Sequence, residues 1–144
     1  MKKIIFKASL ILLLSNSCYA KSHWSIYTIK KIDRVIDGDT VEILKPTPPA
    51  DMVQTKHRLS GIDTPESFKQ VAKCQKEIDL GNKAREFVSN FVKDGVEIEY
   101  IGLDKYGRYL VHIYKNDVNL GDELVKNGLA IYYDGGTKTK DWCK

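Results

Sequence analysis

The sequence predicts an α+β fold that is mainly β, with a five-stranded barrel, one helix after the third strand and a short helix near the C-terminus. Three observations support this fold class. Several short stretches rich in Ile, Val and Tyr alternate apolar with polar residues, as is typical of strands. One stretch around residues 84–92 changes to the helical spacing of apolar residues. The 144 residues, 42% hydrophobic and 29% charged, also fit one small core.

Residues 1–20, MKKIIFKASLILLLSNSCYA, are expected to be a secretory signal peptide and not part of the fold. Two early lysines precede an apolar run and a small-x-small ending, which favours cleavage after Ala20 and export to the periplasm or the medium. The run is too short for a permanent membrane anchor. A lipid-modified Cys18 is the alternative, although Ser15 and Asn16 are polar where lipidated exported proteins usually carry apolar and small residues.

Charge and cysteine content limit what residues 21–144 can bind. Removing the leader removes three lysines and lowers the formal net charge from +4 to +1, so affinity for a polyanion requires a local cluster of Lys and Arg. Cys74 and Cys143 remain. An even count in an exported chain suggests a disulfide, worth about 4 kcal/mol in the chain-entropy model. Two free thiols are the alternative.

Three strands are expected before the first helix. Residues 25–37 form one long strand in this interpretation, an Asp-Gly turn leads to a second strand at 40–44, and a third follows at 57–62. Residues 45–56 hold three of the four prolines and are expected to be a loop, because proline cannot donate to a strand ladder. These strands predict an antiparallel meander.

From Gly81 the apolar spacing becomes helical, and the helix should end before Gly95. We expect its apolar stripe to be core, not a partner-binding surface, because the single long helix of a small domain must bury that face. The stripe consists of Ala84, Phe87, Val88, Phe91 and Val92. Two more strands are expected at 96–103 and 109–114, and a short helix at 120–127. This order matches a small barrel of the oligonucleotide-binding (OB-fold) type.

Three polar stretches lie at the expected strand ends: DGDT at 37–40, RLSGIDTPE at 58–66 and DKYGR at 104–108. Each alone is also typical of ordinary structure. Asp-Gly and Asp-Lys-Tyr-Gly form turns, and DTPE can begin a helix. Their joint chemistry is more specific, because together they supply several carboxylates and two guanidinium groups.

Carboxylates and guanidinium groups are the parts that phosphodiester hydrolysis needs. Asp39, Asp63 and Glu66 offer hard oxygen ligands and a base, and Arg58 and Arg108 can bind phosphate oxygens bidentately. In that reaction a divalent cation polarises the phosphoryl group, a carboxylate positions water, and cations stabilise the charge that develops on phosphate oxygens.

The motifs VIDGDTVEI, RLSGIDTPE and DKYGRYLVHIY, in that order, resemble the staphylococcal nuclease (thermonuclease) family from about Tyr27 to Ala130. The resemblance implies an OB-fold barrel with helices and Ca²⁺-dependent cleavage of DNA and RNA that leaves 3′-phosphates. It also implies that Ca²⁺ is bound by the carboxylates of Asp39 and Asp63 and by the backbone carbonyl of Thr64.

The same resemblance implies the residues that contact the substrate. Glu66 corresponds to the residue that activates or orients the attacking water, and Arg58 and Arg108 correspond to the phosphate-binding pair. Lys105 and Tyr106 correspond to contacts with the neighbouring phosphate. DNA and RNA, preferentially single-stranded or flexible, are the expected partners of a monomeric chain with no stable protein partner. Low sequence specificity is expected, because the motifs contain no group that reads base edges.

Two residues near the motifs are given structural interpretations. Asp37 is interpreted as the turn former and Asp39 as the ligand, because the Asp-Gly turn accounts for Asp37. His57 is expected at the surface, because strand alternation places it on the face opposite Arg58. The three polar stretches DGDT, RLSGIDTPE and DKYGR contain neither Cys nor His, and an oxygen-only ligand set favours calcium over zinc.

The chain departs from the family at residues 67–80 and at its C-terminal sequence, DGGTKTKDWCK, which lacks a long helix. A Cys74–Cys143 bond could replace that helix as a staple. A further tyrosine that stacks near the nucleotide in the family has no clear match, and Tyr132 and Tyr133 are the candidates. Two other functions stay open: a catalytically inactive OB-fold nucleic-acid-binding module, and an envelope protein that binds another protein or a saccharide.

Overall fold

The computed structural model describes residues 26–29, 31–47 and 51–144. The predicted leader, with Cys18 and the cleavage point, lies outside the described residues. The elements, in chain order, are β1 Ile26–Ile29, β2 Arg34–Asp37, β3 Thr40–Thr47, β4 Asp51–Leu59, β5 Ile62–Asp63, α1 Gln75–Val92, β6 Val96–Leu103, β7 Tyr109–Lys115, β8 Val118–Asn119, α2 Leu120–Lys126 and β9 Ile131–Tyr132.

The main sheet runs in the order β1-β6-β7-β4-β3-β2, with β8 paired to β7, while β5 and β9 form a separate two-stranded sheet. Neighbours in the main sheet are antiparallel except β4 and β7, which are parallel and place Arg58 opposite Leu110. No pairing among the described residues joins β1 to β2. The architecture is therefore mixed α+β, and the described sheet is not closed into the predicted five-stranded barrel.

The predicted single strand over residues 25–37 is wrong, because the described chain forms two strands with different partners. Tyr27 of β1 lies opposite Ile98 of β6, whereas Arg34 of β2 lies opposite Glu42 of β3. Between the two strands Ile32 is buried in the core. The chain therefore leaves its pairing with β6, contributes Ile32 to the core and then pairs with β3. A loose alternation of apolar residues does not reveal such a change of strand partner.

The predicted loop over residues 45–56 is also wrong. β3 continues to Thr47, and β4 begins at Asp51, with Pro46 opposite Met52. Beyond Glu42, β3 pairs only with β4 among the described residues, so this part of β3 is an edge of the sheet. Proline is tolerated at a sheet edge, which explains Pro46. The predicted third strand, 57–62, is divided by a turn at residues 60–61 into the end of β4 and the short β5.

The long helix α1 begins before the predicted Gly81, at Gln75. Cys74 caps it in an extended conformation, and its sulfur accepts the backbone N–H of Glu77 at 3.4 Å. The predicted core stripe is confirmed, because its members are buried or pack on the core as partly buried side chains. The predictions for β6, β7 and α2 agree with the structure to within one residue at each end.

The hydrophobic core joins the sheet and both helices. Its fully buried members include Val41, Val88, Ile98, Val111 and Leu124. None of the helices in the described part of the chain is long and apolar enough to cross a bilayer.

The predicted surface position of His57 is wrong, because this side chain is fully buried. Its Nδ1 lies 2.9 Å from the Thr55 carbonyl oxygen, and its Nε2 lies 3.1 Å from the Tyr100 hydroxyl. The ring stacks on Tyr109, with the centroids 5.1 Å apart. Alternation does place His57 opposite Arg58, but aromatic side chains of β6 and β7 cover that face of the sheet.

Candidate active site

Arg58, near the end of β4, connects acidic residues from two separate motifs. Its Nη1 donates to Oδ2 of Asp39, and its Nη2 lies 3.9 Å from Oδ1 of Asp63. The strand register produces this arrangement, since Thr40 lies directly opposite Arg58 in the β3–β4 pair. The structure thus brings together three of the residues that the sequence motifs single out.

The structure places Asp37 in the turn, as the sequence predicts, and buries Asp39 beside Arg58. Oδ1 of Asp37 accepts the backbone N–H of Asp39 at 3.2 Å, which is the side-chain contact of an Asp turn. The Asp39 carboxylate is buried and accepts the Thr40 hydroxyl at 2.8 Å. Burial raises the pKa of Asp39 to about 6 and the charge of Asp37 adds to that rise, while Arg58 and the Thr40 hydroxyl oppose it.

Asp63 lies on the two-residue strand β5, which β9 positions by pairing it with Ile131. Its Oδ1 is buried and accepts no hydrogen bond of normal geometry from the described residues. The nearest cations to this oxygen are Nζ of Lys138 at 2.8 Å and the guanidinium group of Arg58. A buried carboxylate oxygen that faces only cations is chemically suited to bind a metal ion. Thr64, the next residue, is also buried.

The face of α1 packs directly behind both motif loops, and two glycines allow the close approach. A Cβ atom added to Gly81 would lie 2.6 Å from the backbone carbonyl of Glu66, and one added to Gly38 would lie 2.7 Å from Cβ of Ala84. Buried Glu77, on the same helix, accepts the backbone N–H of Glu66 at 3.5 Å. The helix therefore determines where the Glu66 backbone sits.

One open cleft of about 570 Å³ gathers the residues predicted to contact substrate. Its lining includes Arg58, Glu66, Lys105, Tyr106, Arg108, Tyr133 and Lys138. Tyr106 is 73% exposed, with Nζ of Lys105 and the Arg108 guanidinium carbon 5.1 and 5.7 Å from its ring centroid. Asp39, Asp63 and Thr64 are buried, and Arg58 links the first two to the cleft.

Asp104 has a role that the sequence analysis missed. Its Oδ1 accepts the backbone N–H groups of Tyr106 and Arg108 at 2.8 and 2.9 Å, and its Oδ2 accepts Nε of Arg108 at 2.7 Å. Burial raises the pKa of Asp104, but the bonds from Arg108 and Tyr106 outweigh it and lower the pKa overall. An Asp four residues before an Arg in a turn is the signal that could have predicted this pairing.

Lys138 is the second residue that sequence reasoning missed. Its Nζ lies 2.8 Å from Oδ1 of Asp63 and 3.2 Å from Oε1 of Glu66, and 48% of its side chain is exposed. Partial burial lowers the pKa of Lys138, but the bonds to Asp63 and Glu66 raise it more. No local pattern predicts this contact, because Lys138 is one of several lysines in a polar C-terminal segment and is distant in sequence from both partners.

The C-terminal segment that carries Lys138, residues 133–144, is anchored to the rest of the fold at its far end. Cys143 is bonded to Cys74, the cap of α1, with a Cα–Cα distance of 6.1 Å, so the predicted disulfide is present in the structure. Trp142, beside it, is buried. This segment contains no helix in the structure.

The structure separates the two tyrosines that the sequence analysis left as candidates for stacking. The Tyr132 hydroxyl donates to Asp122 of α2 at 3.0 Å, outside the cleft lining. Tyr133 lines the cleft beside Arg58 and Arg108. Tyr133 is therefore the better placed of the two.

The oxygen donors fit a hard cation, although a complete protein shell is not preassembled. In the described ranges no three side chains of His, Cys, Asp or Glu are grouped closely enough to hold a metal. Two buried carboxylates, Asp39 and Asp63, both face Arg58, and the Thr64 carbonyl follows in the chain. Ca²⁺ and Mg²⁺ commonly complete such a shell with water, and the buried Oδ1 of Asp63, now occupied by the Lys138 ammonium, is the atom that most favours a cation.

A family profile described as "Staphylococcal nuclease homologue" matches residues 56–142. The chain belongs to the staphylococcal nuclease family. The match to that family includes Arg58, Asp63, Glu66 and Arg108, and it begins after Asp39. Asp39 lies outside the matched range, but the structure places its carboxylate against Arg58, which lies within that range.

Named relatives in the staphylococcal nuclease family agree with this assignment. A thermonuclease of Staphylococcus hyicus is 34% identical over 103 residues, and one of Staphylococcus intermedius is 36% identical over 102 residues. Each match covers 69% of this chain and 56% of the relative, so the chain spans just over half the length of these two proteins. Endonuclease YhcR of Bacillus subtilis is 32% identical over 109 residues, which is 71% of this chain and 9% of that protein.

Proposed function

We propose that this protein is a Ca²⁺-dependent nuclease that hydrolyses phosphodiester bonds of DNA and RNA. The observation that carries the proposal is the cleft in which Arg58, Arg108 and Glu66 meet, with the buried carboxylates Asp39 and Asp63 behind it. Membership of the staphylococcal nuclease family and the nuclease names of the relatives support the same reaction.

The cleft suits a nucleic acid backbone. The Arg108 guanidinium group can bind a phosphate through its paired Nη donors, and Arg58 and Lys105 add further positive charge. Tyr133, which lines the same cleft, offers an aromatic surface, and bases stack on such surfaces without regard to sequence. We therefore propose low sequence specificity and a preference for single-stranded or flexible substrates, whose phosphates can enter the cleft.

In the proposed reaction, Asp39, Asp63 and the Thr64 carbonyl would hold Ca²⁺, which would polarise the phosphoryl group when bound. Glu66 accepts a proton from water, or orients that water, at the mouth of the cleft. Arg58 and Arg108 stabilise the negative charge that develops on the phosphate oxygens. Cleavage of the bond to the 5′ oxygen would leave 3′-phosphate products.

We also propose that the chain is exported after cleavage near Ala20 and acts as a monomeric domain of residues 21–144. The leader pattern supports export, with a lipid-modified Cys18 as the alternative. The Cys74–Cys143 disulfide in the structure supports an oxidising compartment.

A nucleic-acid-binding module without cleavage is the alternative function. The ion pairs that Asp39 forms with Arg58, and Asp63 with Lys138, favour it, because both carboxylates are neutralised without a metal. The two functions differ in whether a folded sample that binds DNA also cleaves it.

The test is cleavage of single-stranded DNA by the oxidised full chain with Ca²⁺ and with a chelator. Glu66→Gln should lower kcat about 100-fold and leave KM nearly unchanged, because the loss falls on the water and not on substrate binding. Glu86→Gln, an exposed position on α1 with the same change of charge, is the matched control and should cleave normally. DNA binding without Ca²⁺-dependent cleavage would favour the binding module instead.

A further inference from the structure

Lys138 and a divalent cation would compete for the same oxygen atom, Oδ1 of Asp63. Nζ of Lys138 lies 2.8 Å from Oδ1 of Asp63, the buried oxygen that otherwise accepts no normal hydrogen bond from described residues. The same ammonium lies 3.2 Å from Oε1 of Glu66. It thus bridges the proposed metal ligand and the proposed water-activating residue, and it supplies the positive charge that a metal would otherwise supply.

A metal ion bound by Asp63 would require this ammonium to leave. With Nζ of Lys138 at 2.8 Å from Oδ1, the ammonium would repel a metal ion bound to the same oxygen, and the low exposure of Asp63 limits screening by solvent. Lys138 can leave, because half of its side chain is exposed and its stem is flexible. The free energy of breaking its two ion pairs is then subtracted from the free energy of metal binding.

The disulfide keeps this competing cation close to the site. Lys138 precedes Cys143 by only a few residues, and Cys143 is bonded to Cys74 at the start of α1, the helix whose other residues pack behind Glu66. Buried Trp142 adds a second attachment. A tethered ammonium has a high effective concentration at the carboxylates, unlike a free cation in solution.

We propose that Lys138 is a built-in competitor for the metal site, which lowers the affinity of Asp63 for a divalent cation. This inference rests on the proposed metal-dependent function. After displacement, the Lys138 ammonium stays in the cleft that Arg58 and Arg108 line, where it is available to a substrate phosphate.

The first test measures Ca²⁺ binding by isothermal titration calorimetry with the oxidised full chain, in the absence of nucleic acid. Lys138→Gln should bind Ca²⁺ roughly three- to tenfold more tightly than the wild type, a range typical of partly exposed ion pairs and site coupling. Lys138→Arg keeps the charge and should bind close to the wild-type affinity. Lys140→Gln removes the same charge from an exposed side chain of the same segment and controls for the general change in charge.

The second test measures how accessible the Lys138 amine is with and without Ca²⁺. By reciprocity, Ca²⁺ must release Lys138, so its labelling by an amine-reactive reagent, followed by mass spectrometry, should increase with Ca²⁺. Labelling of Lys140 should not change. This readout requires neither substrate nor catalysis.

The outcomes separate the two proposals. Equal or weaker Ca²⁺ binding by Lys138→Gln, with clear binding by the wild type, would overturn the competition and leave the metal-dependent nuclease intact. Absence of Ca²⁺ binding in every variant would overturn both. If Lys138→Gln and Lys140→Gln raised the Ca²⁺ affinity equally, the change in net charge would explain the effect. That result would also overturn the specific role of Lys138.

Discussion

The Asp104 carboxylate holds Arg108 at both its backbone and its side chain: Oδ1 accepts the backbone N–H at 2.9 Å, and Oδ2 accepts Nε at 2.7 Å. The Nη groups of Arg108 take no part in these bonds. Because the guanidinium group is fixed through Nε, its orientation in the cleft is set before a substrate arrives.

Replacing Asp104 with Asn should therefore weaken phosphate binding. We expect kcat/KM for DNA cleavage to fall about tenfold, mainly through a higher KM, because a charged hydrogen bond of about 1.5–3 kcal/mol that orients Arg108 is lost. Steady-state kinetics on single-stranded DNA measure this. Asp94→Asn, which removes a surface ion pair with Lys115, is the control and should change neither constant. An unchanged KM in Asp104→Asn would contradict the positioning role.

Asp104 also predicts a pH dependence of stability. Its pKa is lowered from 3.8 in the folded protein, so its stabilising effect is fully present above that unfolded value and is lost as the pH falls through the lower folded pKa. The difference in unfolding free energy between the wild type and Asp104→Asn should be constant from about pH 5 to 7 and should shrink below about pH 4. Urea unfolding across this range is the measurement. If the difference in unfolding free energy grew as the pH fell, the pKa of Asp104 would not be lowered in the folded protein, and the prediction would be wrong.

Substitution at Gly81 should displace the Glu66 segment. A Cβ at this position meets backbone atoms of Glu66 and Ser67 at 2.6–2.7 Å, so either α1 or the loop must move. We expect Gly81→Ala to lower the free energy of unfolding by about 1–3 kcal/mol and to reduce cleavage. Gly102→Ala is the matched control, because no atom lies within 4 Å of the added Cβ. Urea denaturation compares the two, and equal stabilities would show that α1 does not fix this loop.

The disulfide should contribute substantially to stability. Replacing Cys74 and Cys143 together with serine should lower the free energy of unfolding by about 4 kcal/mol in the chain-entropy model, because the bond closes a long loop. Serine at position 74 keeps an acceptor at the start of α1, so the cap is not lost as well. Thermal unfolding of both proteins measures the effect. Free alkylation of both thiols in the untreated protein would show that the bond is not formed.

The sequence predicted the elements whose signal is local. The apolar stripe from Ala84 to Val92 and the alternation in residues 96–103 each specify an element without help from the rest of the chain. The break within residues 26–37 could not be predicted in this way. Ile32 continues the apolar pattern while the backbone changes its strand partner, and that change depends on where β6 and β3 lie.

The candidate site was predictable where its residues fall in motifs. Arg58, Glu66 and Arg108 line one cleft, and Asp39 and Asp63 both face Arg58. Lys138 could not be predicted, because its place depends on the path of a C-terminal segment without regular structure. The burial of His57 was missed for a related reason, since alternation gives the face of a residue but not what covers that face.

The parallel pairing of β4 with β7 has a consequence for incomplete molecules. The strand that carries Arg58 has as its neighbour a strand that is synthesised much later, and Arg108 lies just before that strand. A chain interrupted before Arg108, by stalled synthesis or by proteolysis, lacks both this second arginine and the strand that pairs with one edge of β4. Fragments of this kind cannot assemble the cleft, so the proposed hydrolysis of nucleic acids would require a chain that extends through β7.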